Sequence, residues 1–393
     1  MRENQVEYII ESVSDLERNR YKYNVELDSF NLAVRTLEDM GKDYEFLKEG
    51  KNPQIAIYNN GRLAAPFKRH RYPSNADVAR KICDNKISTE NFLKANNIMT
   101  TNSKVFNASE FSEARNYAYG SQNAIVIKPL NLSGGKGVSI DVKKEDFEYA
   151  WNYAVKAQQD SDIENPKVII QDMVDGFEIR FTVIEGLFFS ATLRMPAYVV
   201  GDGKSSVDRL IDQKNKIRKR SGYFKKMLIR KNEHLDHLLS SKGFALDSVL
   251  DEGEPLLLHR VSNTHFGGET FNITHLVSKE LKEQAENAIA AIPGLHTAGL
   301  DMMIRSFEDT QGTVIETNFR PAFQFLYYPY KGAPVDPLKY HFEIFFLEDS
   351  MKQGELNIND LTPTNQRLLK ARYSFLYKKQ QYITKAIQTM NLF

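Results

Sequence analysis

A single cysteine, Cys83, in 393 residues excludes an intrachain disulfide framework and suits a reducing compartment. Long apolar runs are equally scarce. None approaches the roughly 20 residues needed to span a bilayer, and the opening MRENQVEYIIESVSDLERNR is too charged for a signal peptide. A cytoplasmic protein is expected. Excess charge is missing too: 52 Lys and Arg face 51 Asp and Glu, so a net charge of +1 advertises no general affinity for nucleic acid or a membrane surface. No Cys/His spacing resembles a zinc site. His234 and His237, at i and i+3, come nearest but lack companions, and they read as surface helix. Neither a Ser-His-Asp nor a Cys-His constellation points to nucleophilic catalysis, and no internal repeat stands out. What remains is an ordinary globular composition, 41% hydrophobic and 26% charged, long enough for two or three domains.

Locally the charge is less even. Residues 213–232, QKNKIRKRSGYFKKMLIRKN, hold nine Lys or Arg and no acid. The stretch reads either as a patch for an anionic partner or as a solvated helical segment balanced by acids elsewhere, and the near-zero total favours the second.

Periodicity marks the elements. SFNLAVRTLEDMG has helical apolar spacing and a glycine stop at Gly41. QIAIYNNGRLAAPF reads as strand, Asn-Gly turn and strand. SNADVARKICDNK predicts a helix with Ser74 as N-cap, and a second helix is expected from Ser88. From about residue 104 short β-rich runs dominate. Helix is expected again between 206 and 250 and over the last fifty residues, with the strands TAGLDMMIRS and GTVIETN between them.

Two segments carry chemistry. In VIKPLNLSGGKGVSI, Lys128 ends a strand and Ser133, Gly134, Gly135, Lys136 and Gly137 form a glycine-rich link to the next. The spacing is neither that of a P-loop nor that of a dinucleotide fingerprint. Such a link can aim several backbone N–H groups at a phosphate, or it can be a plain hairpin turn. In the second segment, an antiparallel hairpin brings Asp301 close to Glu316, and alternation sets Asn318 on the same face. Two carboxylates and an amide oxygen suit Mg²⁺ holding phosphate oxygens; the alternative is strand carboxylates facing water, which the apolar neighbours argue against. Arg194, Lys204, Arg260 and Arg320, taken together, could neutralise a transferring phosphoryl group.

These blocks, in this order, resemble the ATP-grasp superfamily of carboxylate–amine ligases over about residues 74–335. The narrower similarity, to the branch holding cyanophycin synthetase and the ligase domain of bifunctional glutathione synthetases, rests on LRMPAYVVGDGKSSVDRLIDQKN, RVSNTHFGGETFNIT and NFRPAFQFLYYPYKG. The resemblance implies an α+β fold with two α+β subdomains gripping ATP. Residues 1–73 would form a small N-terminal α/β domain. Residues 74–338 would form the ATP-grasp domain, with 74–170 carrying the phosphate flap and 171–338 the metal site. A helical extension, 339–393, would follow; neither end resembles anything nameable. Lys86 and Lys128 would contact the ATP phosphates under a mobile flap, Ser133 to Gly137. Gln171 and the backbone of Met173 and Val174 would meet adenine, and Glu178 the ribose. Asp301, Glu316 and Asn318 would hold two Mg²⁺ ions, with Mn²⁺ as a substitute. Arg260 would steady an acyl phosphate, and Lys204 would lie on a second covering loop.

The implied activity joins a small-molecule acid to an amine, an amino acid or peptide, with no nucleic-acid or membrane partner and with a homodimer as the expected assembly. The alternatives are a kinase-like enzyme that phosphorylates without ligation, and a nucleotide-binding regulator with a dead site. Arg320 departs from the small or polar residue of many relatives and could bind an acidic substrate. His265 and Phe266 stand where the branch has small or hydroxyl residues, so the substrate is expected to differ. No second ligase domain is recognisable on either side, and a stand-alone ligase is expected.

Overall fold

Turn and cap chemistry sets out the first elements. The computed structural model describes every residue except 1, 2, 23, 69, 70, 122, 123, 133, 134, 260, 358, 360, 392 and 393. Helices α1 (Glu3–Ser12) and α2 (Ser29–Asp39) precede a meander of β1 (Tyr44–Lys48), β2 (Gln54–Asn59) and β3 (Arg62–Lys68). Asp28 caps α2 by accepting from the N–H groups of Phe30 and Asn31, and the expected stop is found at Gly41, φ +62°. Asn60 and Gly61, φ 51° and 74°, make the tight turn between β2 and β3.

Helices α3 (Asp77–Cys83) and α4 (Lys86–Ala95) follow. Both starts differ from the sequence expectation. Helix α3 begins behind Ala76, which provides no side-chain cap, while the Ser74 hydroxyl donates to Glu185 Oε1 at 2.5 Å. Helix α4 begins two residues before Ser88, because the Asn85 carboxamide oxygen accepts from the N–H groups of Ile87 and Ser88.

A four-stranded antiparallel sheet comes next, from β4 (Ser103–Asn107), α5 (Phe111–Gly120), β5 (Ile125–Pro129), β6 (Ser139–Val142), α6 (Phe147–Gln159) and β7 (Lys167–Asp172), in the order β4-β7-β5-β6. Its apolar face, with Ile127, Val168 and Ile170, packs against Phe147, Trp151 and Ala154 of α6. The glycine-rich link joins β5 to β6, which pair antiparallel.

The larger sheet begins with β8 (Phe177–Ile184) and β9 (Leu187–Met195). An inserted lobe of β10 (Tyr198–Val200), α7 (Val207–Lys219), α8 (Glu233–Ser240) and β11 (Pro255–Leu257) follows, with its own apolar cluster around Val207, Ile211, Leu239 and Leu256. The sheet is completed by β12 (Glu269–Asn272), α9 (Lys279–Ala291), β13 (Ala298–Ile304) and β14 (Thr313–Asn318), in the order β12-β9-β8-β13-β14. One face buries Ile179, Phe181, Leu193, Leu300 and Met302 with Leu281, Ala285 and Ile289 of α9; Val6 and Ile9 of α1 and Ala79 and Leu93 of α3 and α4 join that core. Alternation therefore turns Glu178, Arg180, Arg194 and Asp301 to the other face.

The expected helix between 206 and 250 is only α7 and α8. The basic stretch 213–232 covers the second half of α7 and the link to α8, and two of its cations turn inwards. Lys214 Nζ donates to the Tyr198 carbonyl at 2.7 Å and pairs with Glu269 at 2.9 Å. The buried Arg218 guanidinium donates to the carbonyls of Met227 and Gly268 at 2.7 and 3.1 Å. Lys231 bridges Asp208 and Asp212. Lys214 and Arg218 thus staple the lobe to itself and to β12, while Lys216, Lys219, Arg220, Lys226, Arg230 and Lys231 remain exposed.

The chain closes with α10 (Gln324–Tyr327), α11 (Pro337–Lys352) and α12 (Pro363–Met390). Leu338, Phe342 and Phe346 of α11 share one core with Phe30, Ile55 and Phe67 of the N-terminal meander. Helix α12 lies on α9 and α4. Its buried Lys379 ammonium donates to the carbonyls of Ile289, Ile292 and Leu295 at 3.0, 2.5 and 2.8 Å, capping the end of α9. Among the described residues, no helix is long and apolar enough to cross a membrane.

Candidate active site

Two sheets meet at a cleft lined by Lys86, Glu90, Ser103, Lys128, Gln171 and Glu316. Lys86 opens α4 and its Nζ lies 3.3 Å from the carbonyls of Leu130 and Leu132, at the root of the glycine-rich link. Lys128 is buried on β5 and its Nζ donates to Gln171 Oε1 at 2.5 Å. Burial, then the nearby Lys86 charge, bring the Lys128 ammonium down to about 8, against the pull of Glu316 and Glu90. A cation held that close to neutrality is poised to gain a partner.

This placement makes a testable pH dependence. Free protein loses the Lys128 proton above about pH 8, whereas a bound phosphate holds the charged form. Affinity for a non-hydrolysable ATP analogue should therefore fall by up to about tenfold per pH unit above that point. In Lys128→Arg, whose charge persists, the profile should be flat, and calorimetry over pH 7–10 checks it.

The expected adenine contacts are only partly available. The Gln171 amide oxygen is engaged by Lys128, and the Met173 N–H already donates to the Ala124 carbonyl at 2.8 Å. That leaves the Met173 carbonyl and the Val174 backbone for a base. In the flap, Ser133 and Gly134 lie outside the described residues. Lys136 is exposed. Gly137, φ +69°, sits where a Cβ would fall 2.8 Å from both Ala157 and Pro129, so only glycine lets the link return against α6. Gly135, φ +76°, faces Val261 across 3.6 Å from its would-be Cβ.

The polar face of the larger sheet forms the other wall. Asp301 and Glu316 are directly paired across β13 and β14, as the hairpin predicts, and the Asn318 amide donates to Asp301 Oδ2 at 3.3 Å. Asp301 is also gripped by two arginines. Arg180 makes a two-pronged contact, with Nη2 donating to Oδ2 at 2.7 Å, and Arg194 Nη2 lies 3.0 Å from the same oxygen while also bonding Glu178. Burial would raise the Asp301 carboxyl, but the two guanidinium charges outweigh it and hold the group below the ordinary range. The Glu178 carboxylate is thus committed to Arg194.

Sequence reasoning missed Arg180. Its path depends on Gly299: a Cβ there would lie 2.8 Å from Arg180 Cδ. The signal was a charged pair two residues apart, Glu178 and Arg180, in an otherwise apolar strand. Two buried polar atoms on this wall, Arg194 Nε and Thr192 Oγ1, have no hydrogen-bond partner among the described residues. Orphaned polar groups of this kind suit an incoming polar ligand.

Two of the other expected cations, Lys204 and Arg320, are exposed. Arg260 lies outside the described residues. Lys204 is exposed in a turn where its N–H donates to Asp202 Oδ1 at 3.0 Å. Arg320 is exposed, two residues beyond Asn318, and makes no ion pair among the described residues.

For a divalent ion, the available donors are the Asp301 and Glu316 carboxylates and the Asn318 amide oxygen, a hard set that fits Mg²⁺ or Mn²⁺. Arg180 and Arg194 supply in its place the positive charge that Asp301 requires. Among the described residues, no three His, Cys, Asp or Glu side chains cluster as a complete metal cage.

Two α+β units closing on a lysine-lined cleft, with a glycine-rich hairpin at its mouth, have the ATP-grasp fold. Residues 84–194 match the family described as phosphoribosylglycinamide synthetase, ATP-grasp (A) domain. The chain is 30% identical over 264 residues to the glutathione biosynthesis bifunctional protein of Clostridium perfringens, covering 65% of this chain and 33% of that one. It is 28% identical over 305 residues to the cyanophycin synthetase of a Nostoc species, covering 76% of this chain and 32% of that one. The chain thus spans about a third of the length of these relatives. The crystal structure of a bifunctional glutathione synthetase from Pasteurella multocida superimposes with a TM-score of 0.59 at 24% identity, over 81% of this chain and 43% of that one. The expected fold is found, and these relatives are those of the expected branch.

Proposed function

We propose that this chain is an ATP-dependent ligase that joins a carboxylate to an amine through an acyl phosphate, releasing ADP and phosphate, with an amino acid or small peptide as substrate. The observation that carries the reading is the confrontation, across one cleft, of Lys86 and Lys128 with Glu316, whose strand partner is the arginine-bound Asp301. Cations on one wall and oxygen ligands on the other are what phosphoryl transfer requires, since its catalysis is positioning and charge neutralisation. The relatives named above are supporting company for a reaction that forms a C–N bond.

In this reading Lys86 and Lys128 bind the nucleotide phosphates. Asp301, Glu316 and Asn318 hold two Mg²⁺ ions, or Mn²⁺ in their stead, whose charge would draw electron density from the transferring phosphoryl group. Arg180 and Arg194 orient Asp301, and Arg194 also fixes Glu178 for the ribose. The Gly135–Gly137 part of the flap closes towards Val261 and excludes water, which would otherwise hydrolyse an acyl phosphate. Arg260 and Lys204 are assigned to the acyl phosphate, and Arg320 to a substrate carboxylate.

Incubation with Mg-ATP, hydroxylamine and a panel of amino acids, dipeptides and γ-glutamyl peptides tests the proposal. A hydroxamate formed with stoichiometric ADP supports it. Phosphorylated product with no hydroxamate from any acid would replace it with a kinase-like activity.

A further inference from the structure

A second concavity lies outside the nucleotide cleft, between the inserted lobe and the loop that leads into β12. Its walls include Ile229, Arg230 and His234 on the lobe side and Leu258, His259 and Phe266 on the loop side, around a volume of about 280 Å³. Three rings are arrayed along it. His259 stacks on Phe266 with centroids 4.7 Å apart and planes 13° from parallel, and His234 stands 5.3 Å from His259.

The array is held in place. The Val261 backbone holds His259 Nδ1, with its N–H at 3.0 Å and its carbonyl oxygen at 3.2 Å. Burial lowers the His259 pKa, keeping the imidazole neutral and suited to stacking. The loop is pinned by Arg218 bonding to the Gly268 carbonyl. It is closed against Ile229 at Gly267, φ +88°, where a Cβ would fall 2.5 Å from Ile229 Cγ1. Phe266 nevertheless remains 43% exposed. Arg230 at the rim is exposed and has no ion pair among the described residues.

The same loop reaches the flap. Val261, two residues from His259, is the side chain that faces Gly135. A ligand against His259 would therefore sit two residues from the Val261 side chain that faces Gly135.

We propose that this concavity is the subsite for a planar, ring-bearing amino acid, or a peptide carrying one, whose ring stacks on Phe266 and His259 and whose carboxylate meets Arg230. The inference rests on the ligase reading and names the class of one of its two substrates. Ring faces favour another ring, stacked in an offset or edge-on arrangement, and a guanidinium fork favours a carboxylate. Phe266 lines the cavity, and His265 is exposed beside it.

Calorimetric titration in the presence of saturating Mg-AMPPNP tests it, with L-tryptophan, L-tyrosine and L-phenylalanine as probes and L-alanine and L-tryptophanamide as controls. At least one aromatic acid should bind about tenfold or more tightly than L-alanine. Phe266→Ala, an exposed side chain, should remove that preference while AMPPNP binding stays unchanged. Arg230→Gln should weaken the aromatic acid and leave the amide unaffected. Wild-type protein that binds AMPPNP but shows no aromatic preference, or a Phe266→Ala variant that keeps it, overturns the subsite and leaves the ligase reading standing. Failure to bind AMPPNP at all overturns the ligase reading and the subsite with it.

Discussion

Asp301→Ala should abolish turnover and lower folding stability by roughly 3–5 kcal/mol, a cost typical of stranding buried charge. Arg180 is left without its carboxylate in a site only 9% exposed, and Arg194 keeps only Glu178. The two effects have different origins, and a second substitution separates them. Asp301→Ala combined with Arg180→Met removes the unpaired cation, so urea unfolding should show part of the stability regained. Turnover should stay absent, because the metal ligand is still missing. A single variant with near-normal activity in Mg-ATP would remove Asp301 from the metal site.

The second large effect is expected far from the cleft. Arg372 of α12 is buried, with Nε on Glu348 Oε2 at 2.7 Å, Nη1 on the Glu185 carbonyl at 2.8 Å and Nη2 3.2 Å from Glu185 Oε2. Glu185 in turn accepts from Ser74 and Thr297 and pairs with His341 Nδ1 at 2.9 Å. Burial would raise its pKa, but His341 and Arg372 reverse the effect and hold it far below the ordinary carboxylate range. One network therefore ties α12, α11, the approach to α3 and the end of β8. Arg372→Met should cost roughly 3–5 kcal/mol. It should also weaken nucleotide binding, since α12 backs the helix that begins with Lys86. A variant whose urea midpoint and AMPPNP affinity both match wild type would show the last helix to be a dispensable appendage.

These two examples mark where the sequence is legible. Asp301 opposite Glu316 follows from a short hairpin and a period of two, both local. So do the Asn60-Gly61 turn and the stop at Gly41, where backbone geometry is fixed by one or two residues. Arg180 was not legible because its partner is 121 residues away, and only the observed register reveals that Gly299 makes room for it. Lys379 reads as an ordinary surface lysine on a polar helix. Its burial depends on where α9 ends, which no local pattern specifies. In the basic segment 213–232 the acid that neutralises Lys214, Glu269, lies beyond the inserted lobe and was not legible for the same reason. Asn85 is a different case, because a capping residue directly before α4 was there to be read. Ser74 drew attention instead, and its hydroxyl serves a distant carboxylate.

The most direct test of the central claim, that the cleft between the two sheets binds ATP through Lys128, is calorimetric titration of wild-type protein and Lys128→Met with Mg-AMPPNP at pH 7. The account predicts binding at one site by the wild type. It predicts a loss of about ten- to a hundredfold in affinity for the variant, the worth of one charge-assisted contact of roughly 1.5–3 kcal/mol. No binding by the wild type, or equal affinity in both proteins, would contradict it.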